Sequence, residues 1–191
     1  PSLDKLYLDV GAKDKDSVPV GVGDIACFQR PFVAQGDRFI AKALDDRIGC
    51  AVLIQVMRDL EASPHDVYFV FSVQEEVGLR GAITSAYGIH PDLGISIDVT
   101  GTGDTPEART LAVSLGEGPA VKVKDRGMLA HPAVKNLLVK TAEELGIPYQ
   151  IEVLERGTTD ATAIQISREG VPAGCLSIPC RYVHTPSEMV D

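Results

Sequence analysis

Residues 67–73, Val-Tyr-Phe-Val-Phe-Ser-Val, form an uncharged run of mostly β-branched or aromatic residues that stops at Gln74-Glu75-Glu76. Such a run predicts a central strand buried on both faces, with the two glutamates projecting from its end. Leu93-Gly-Ile-Ser-Ile-Asp98 repeats the pattern, a second apolar run closed by an acid. Upstream, Ile48, Val52, Leu53, Val56, Met57 and Leu60 fall at helical spacing between Asp45-Asp46-Arg47 and Ser63-Pro64, which predicts an amphipathic helix with acid at its start. A further helix is expected through Gly81–Tyr87, and strands over 119–123, 149–154 and 171–178. Helices are expected between them, one over 159–168 and one opened by His131-Pro132 and stopped by Gly146 and Pro148. This alternation from Leu44 onward predicts the α/β class, a three-layer α/β/α sandwich.

The first 40 residues have a different texture. Leu6–Val10 and Gly23–Phe28 read as strands, punctuated by Gly11, Pro19, Gly21, Gly23, Pro31 and Gly36. They predict a small β-rich unit over 1–40, with a boundary near residues 36–43 and the α/β unit over 41–191. Ser187–Asp191 is a polar, then mixed stretch with no closing element after it. The chain has 191 residues, 45% of them hydrophobic, enough to bury a substantial core. Its net charge of −9 and the lack of any Lys/Arg block argue against a nucleic-acid partner, because a phosphate backbone would be repelled. No stretch reaches the length of a membrane span, so a soluble, cytoplasmic protein is expected. Cys27, Cys50, Cys175 and Cys180 lie in apolar surroundings without a C-x-x-C spacing and are expected to be buried, reduced thiols.

The chemistry concentrates at the predicted strand ends. Adjacent carboxylates repel each other and are costly to bury in part, so Glu75 and Glu76 require positive charge nearby, and Arg80 alone offers little. Leu44-Asp-Asp-Arg47, Ile97-Asp-Val99 and Arg181-Tyr-Val-His-Thr-Pro186 supply further acids and a histidine at comparable places. Singly, Asp45 or Asp46 serves as a helix cap, Asp98 as a turn residue and His184 as a surface histidine. Jointly, four acids and a histidine at the ends of buried strands predict a hydrolytic divalent-metal site.

The strings Ala43-Leu-Asp-Asp-Arg-Ile-Gly49, Ser72-Val-Gln-Glu-Glu-Val-Gly-Leu-Arg-Gly-Ala82, Ile97-Asp-Val-Thr100, Gly157-Thr-Thr-Asp-Ala161 and Ile178-Pro-Cys-Arg-Tyr-Val-His-Thr-Pro-Ser-Glu188 resemble the M42 metallo-aminopeptidases. These are the cytosolic glutamyl/leucyl aminopeptidases that include the TET peptidases, and the likeness runs in order through nearly the whole chain. The resemblance implies the zinc-dependent exopeptidase type of sandwich, with residues 1–40 the C-terminal part of a dimerisation domain. It implies peptide substrates, a homo-oligomer of dimers assembling to a dodecamer, and two divalent ions per complete site, zinc or cobalt. By the same resemblance Asp45 bridges the ions, with Asp46 as second choice, and Glu75 is the general base. Glu76 and His184 bind one ion, Asp98 binds the other, and Asp160 lines the substrate cleft, a position that equally suits a helix N-cap. Metal-activated water then attacks the peptide carbonyl.

The family also carries a His-x-Asp motif on an early strand, and none stands before Asp45. The resemblance therefore implies a segment of a longer enzyme, with weak or no peptidase activity alone. Two alternatives stand beside this reading. One is an inactive or structural subunit. The other is a glycosidase, since some relatives carry a cellulase label, although adjacent glutamates fit a carboxyl pair spaced about 5–10 Å apart poorly.

Overall fold

The computed structural model describes residue 2 and residues 5–191; residues 1, 3 and 4, part of the expected 1–40 unit, lie outside the described residues. One mixed sheet contains seven strands: β1 (Val33–Gln35), β2 (Arg38–Ala41), β3 (Gly94–Gly101), β4 (Ala120–Lys124), β5 (Gln150–Val153), β6 (Ala173–Arg181) and β7 (Glu188–Val190). Among the described residues four α-helices accompany it: α1 (Leu44–Asp59), α2 (Arg80–Ile89), α3 (Pro132–Leu145) and α4 (Asp160–Gln165). A 3-10 turn lies at Lys15–Ser17. The α/β class read from the alternation is the class observed.

β6 is the axis of the sheet. It pairs in parallel with β3 along its whole length, from Gly94 opposite Ala173 to Gly101 opposite Cys180. Its other edge is shared by two antiparallel partners, β4 through Ala120 opposite Ser177 and β7 through Cys180 opposite Val190. β5 then flanks β4, and β7 hands the sheet on to the β1–β2 hairpin.

Alternation along β6 separates the two faces. Ala173 and Cys175 pack with Met128, Ala130, Ala161 and Ile164 beneath α4. On the opposite face Ile178 and Cys180 pack with Leu44, Ile48, Val99 and Val190 beneath α1, and Gly174 lies against Val134 of α3. A buried polar knot holds four strands in register: Glu152 of β5 accepts from Lys122 Nζ of β4 (3.1 Å), from Ser177 Oγ of β6 (2.8 Å) and from Thr100 Oγ1 of β3. Paired with each other, the two buried charges are tolerated; removing either would strand the other.

The local signals around α3 act as read. Pro132 occupies its first turn, His131 Nδ1 accepts the Ala133 N–H (3.3 Å), and Gly146 closes it in the left-handed conformation (φ 64°).

Elsewhere the structure corrects the sequence reading. Residues 67–73 join no strand ladder, and Tyr68 and Val73 are 63% and 68% exposed. The composition of a buried strand is present, but no described residue pairs with it, and a strand exists only with a neighbour. Leu6–Val10 and Gly23–Phe28 are likewise unpaired and mostly exposed, for the same reason. Ser187–Asp191 carries a short strand that was not predicted, β7, stitched between β2 and β6. Cys175 and Cys180 are buried, whereas Cys27 is exposed.

With no ladder to hold it, the end of the 67–73 segment is fixed by the start of α2. Gly81 N–H donates to Val73 O (2.9 Å) and Arg80 N–H to Gln74 O (3.2 Å). The approach requires glycine, since a Cβ on residue 81 would stand 2.5 Å from Val73 N and 2.7 Å from Val73 O. Gly81→Ala is therefore expected to destabilise the chain by about 1–3 kcal/mol, as overpacking against backbone does. Urea denaturation should show a lower midpoint with an unchanged slope; an unchanged midpoint would contradict the contact.

Candidate metal centre

Three segments far apart in sequence deliver the site. The start of α1 carries Asp45 and Asp46, whose backbone is non-helical and joined by a cis peptide bond. The turn between residue 73 and α2 carries Glu75 and Glu76; Gln74 is left-handed (φ 60°), and the Gly78 and Leu79 N–H groups both donate to Glu75 O. The connection from β6 to β7 carries His184, itself left-handed (φ 63°).

His184 Nε2 lies 3.2 Å from Asp45 Oδ2 and 3.2 Å from Glu76 Oε1. Among the described residues, one donor atom each from Asp45, Glu76 and His184 fall within 4.8 Å of one another. One imidazole and two carboxylates form a donor set that suits zinc or a neighbouring transition metal. Asp45 is mostly buried, while the side chains of Glu76 and His184 remain open to solvent.

Asp98, late in β3, does not belong to this group of three. Its Oδ1 accepts the N–H of Val99 (2.8 Å). It is nevertheless near enough for the charges of Asp46, Glu75 and Asp45 to act on it. Asp46 takes the helix-cap role that was open between it and Asp45, accepting the Gly49 N–H at 3.1 Å. Asp160 is the first residue of α4, but Thr159 is the N-cap residue. The Asp160 carboxylate instead accepts from Ser72 Oγ (2.5 Å), and its other oxygen, buried, has no partner. Arg80 Nη1 reaches only Gln74 Oε1 (3.4 Å), and among the described residues no Lys or Arg forms an ion pair with these acids.

The electrostatics follow from crowding acids together with little cationic relief. Burial, then the charge of Glu76, raises Asp45 to about 6. Burial raises Asp46 to about 7 against the opposing Gly49 hydrogen bond. Burial, with the charges of Glu76 and Asp160, raises Glu75 to about 7. Burial, with Asp46 and Glu75, raises Asp98 to about 8. Burial also raises Asp160, against the Ser72 hydrogen bond.

Of the residues that sequence reasoning singled out, the structure brings Asp45, Glu76 and His184 into one close group; Glu75 precedes Glu76 in the same turn, and Asp98 and Asp160 stand outside the group. Sequence reasoning gave no role to Ser72 or Glu188. Glu188, 2% exposed, accepts the backbone N–H groups of both Asp45 and His184. The signal available for it was an acid four residues beyond a candidate ligand, too common to assign without geometry.

A family model described as M42 glutamyl aminopeptidase matches residues 1–191. The chain is 37% identical over 193 residues to the lysyl aminopeptidase of Pyrococcus furiosus, covering 98% of this chain and 55% of that protein. Among solved structures, an aminopeptidase from the archaeon Desulfurococcus kamchatkensis superposes with a TM-score of 0.95 at 48% identity, covering all of this chain and 56% of that one. The TET1 peptidase of Pyrococcus horikoshii, described as assembling into a tetrahedron or a large octahedral shell, superposes at 0.71 with 32% identity, covering 85% of this chain and 48% of that one. The chain thus spans about half the length of the relatives it matches.

The raised carboxylates give a signed pH dependence. A carboxyl whose folded pKa exceeds its unfolded value binds its proton more tightly when folded. Its contribution to stability is complete below the unfolded value, about 4, and is lost as pH rises through about 6 to 8 for Asp45, Asp46, Glu75 and Asp98. In the presence of a chelator, the melting temperature should therefore fall across this window. Asp98→Asn should flatten the fall, and excess zinc should reverse it. A melting temperature that rises over the same window would contradict this account.

Proposed function

The chain belongs to the M42 glutamyl aminopeptidase family, and on that premise we propose that Asp45, Glu76 and His184 hold a divalent cation beside Glu75 in a centre that removes residues from peptide N-termini. The observation that carries this reading is the convergence of Asp45, Glu76 and His184 from three separate segments, within reach of one cation. Glu75 stands next to them with its carboxyl near neutrality. In the complete centre Asp45 and Asp98 would also hold a second ion, zinc or cobalt.

A bound divalent cation supplies Lewis acidity, acidifying water and polarising a carbonyl. Glu75 is the proton carrier. Its side chain is absent from the close group of donors and so is free to accept a proton from water. A carboxyl poised near the working pH serves as base toward water and then as acid toward the leaving amine. Positive charge arriving beside it lowers its pKa and favours the basic form. Asp46 and Asp160 extend the negative wall of the site, and Asp160 is the residue we place against the substrate. Such a wall favours an ammonium group over an internal amide, which is the discrimination an exopeptidase needs. The dimer-based oligomer and a cytoplasmic location belong to the same reading.

Elemental analysis after dialysis against zinc should find about one ion per chain for a single three-donor site. His184→Ala should lose it and Glu75→Gln should keep it. Calorimetry on the zinc-loaded chain should show binding of a tripeptide with a free amine and none of its N-acetylated form. Absence of zinc uptake by the unmodified chain, or equal binding of the two peptides, would overturn the reading.

A further inference from the structure

Two of the proposed ligands sit on backbone that secondary structure does not hold. Asp45 lies in the non-helical entry to α1, and His184 is a left-handed residue in a run of turns that includes left-handed Tyr182. A non-glycine residue at positive φ is uncommon and persists only where its surroundings fix it. One buried side chain meets both of these backbones. Glu188 Oε2 accepts the N–H of Asp45 at 3.0 Å, and Glu188 Oε1 accepts the N–H of His184 at 2.8 Å.

Glu188 is itself rigidly placed. Its backbone is the first residue of β7, opposite Ala41 of β2, and the next two residues are paired on both sides, Met189 with Ile40 and Arg181, Val190 with Phe39 and Cys180. The sheet therefore fixes the carboxylate, and the carboxylate fixes two separate segments at once. Each oxygen serves one N–H, so the planar carboxyl group sets the spacing between the segments. The two ligand side chains converge on the other side of these amides, His184 Nε2 being 3.2 Å from Asp45 Oδ2.

We propose that Glu188 is a positioning residue of the metal centre, a buried clamp that holds Asp45 and His184 in cation-binding register by accepting both of their backbone N–H groups. The proposal rests on the reading of Asp45 and His184 as ligands. It assigns Glu188 no contact with cation or substrate. The exchange of a carboxylate for an amide breaks the clamp specifically, because a glutamine offers one acceptor oxygen and turns an NH2 donor toward the other backbone N–H. Aspartate, one methylene shorter, retains both acceptors but from a strand position that is farther away.

The test compares zinc affinity of the unmodified chain, Glu188→Gln and Glu188→Asp by competition with a chromophoric chelator. The visible spectrum of the cobalt-loaded proteins is recorded alongside. Loss of an outer partner that orients metal ligands typically weakens binding by about 10–100-fold. That range is expected for Glu188→Gln, with a changed cobalt spectrum and a smaller loss for Glu188→Asp. A carboxylate with a purely structural role would lower the melting temperature and leave the cobalt spectrum as it was.

Should Glu188→Gln fail to fold, the clamp is read on the unmodified chain by amide NMR. The Asp45 and His184 amide protons should both lie downfield, exchange slowly with solvent and move together on addition of zinc. Zinc binding by Glu188→Gln within twofold of the unmodified chain, or fast-exchanging Asp45 and His184 amides, would overturn the proposal. Failure of the unmodified chain to bind zinc would instead defeat the ligand reading on which it stands.

Discussion

The burial of several carboxylates in one place is the constraint around which this site is arranged. Burial pushes the carboxyls of Asp45, Asp46, Glu75, Asp98 and Asp160 upward, and repulsion from neighbouring acids adds to it at the first four, which reach about 6 to 8. His184 is the base the structure sets against them, and its Nε2 meets Asp45 and Glu76. A fold gains nothing from concentrating acids in this way unless a cation or a proton relieves them. Elsewhere in the sheet the charges find partners, buried Lys122 with Glu152 and partly exposed Arg181 with Asp104.

The scaffold separates rigid from weakly held parts. β3 and β6 run side by side for eight paired positions and bring Asp98 to a fixed place. The segments that bear Asp45, Glu75, Glu76 and His184 are turns and helix entries, held by small numbers of specific contacts. Gly81 secures the glutamate turn by its close approach to Val73, Ser72 ties the same segment to Asp160 of α4, and Glu188 ties the other two segments together. Placing these side chains on such turns lets three distant stretches of sequence meet. It also makes the geometry depend on a few supporting groups rather than on regular secondary structure.

Much of this was legible in the sequence where the signal is local. The caps of α3, at His131, Pro132 and Gly146, act within one turn and read correctly, as do β3 and β6, whose apolar runs find partners in each other. The 67–73 segment did not, because its β-branched and aromatic composition reports a preference for being paired, whereas the partner is a property of the rest of the molecule. β7 escaped notice for the converse reason: three residues beginning with a glutamate carry no periodicity, and only pairing with β2 and β6 makes them a strand. At the site, the chemistry of the acids and His184 was visible as residue types. The division of labour between Asp45 and Asp46, the Ser72–Asp160 bond and the Glu188 clamp were not, because they depend on distances of about a hydrogen bond.

The central claim, that this acid cluster is built for a divalent cation, is tested most directly by counting the protons released when zinc binds. Calorimetric titrations in two buffers of different ionisation enthalpy give that number at each pH. Because carboxyls raised to about 6–8 must lose their protons to serve a cation, zinc binding near neutral pH should expel protons. The number released should decline as pH rises above about 8. Zinc binding with no proton release at neutral pH, or no binding at all, would contradict the account.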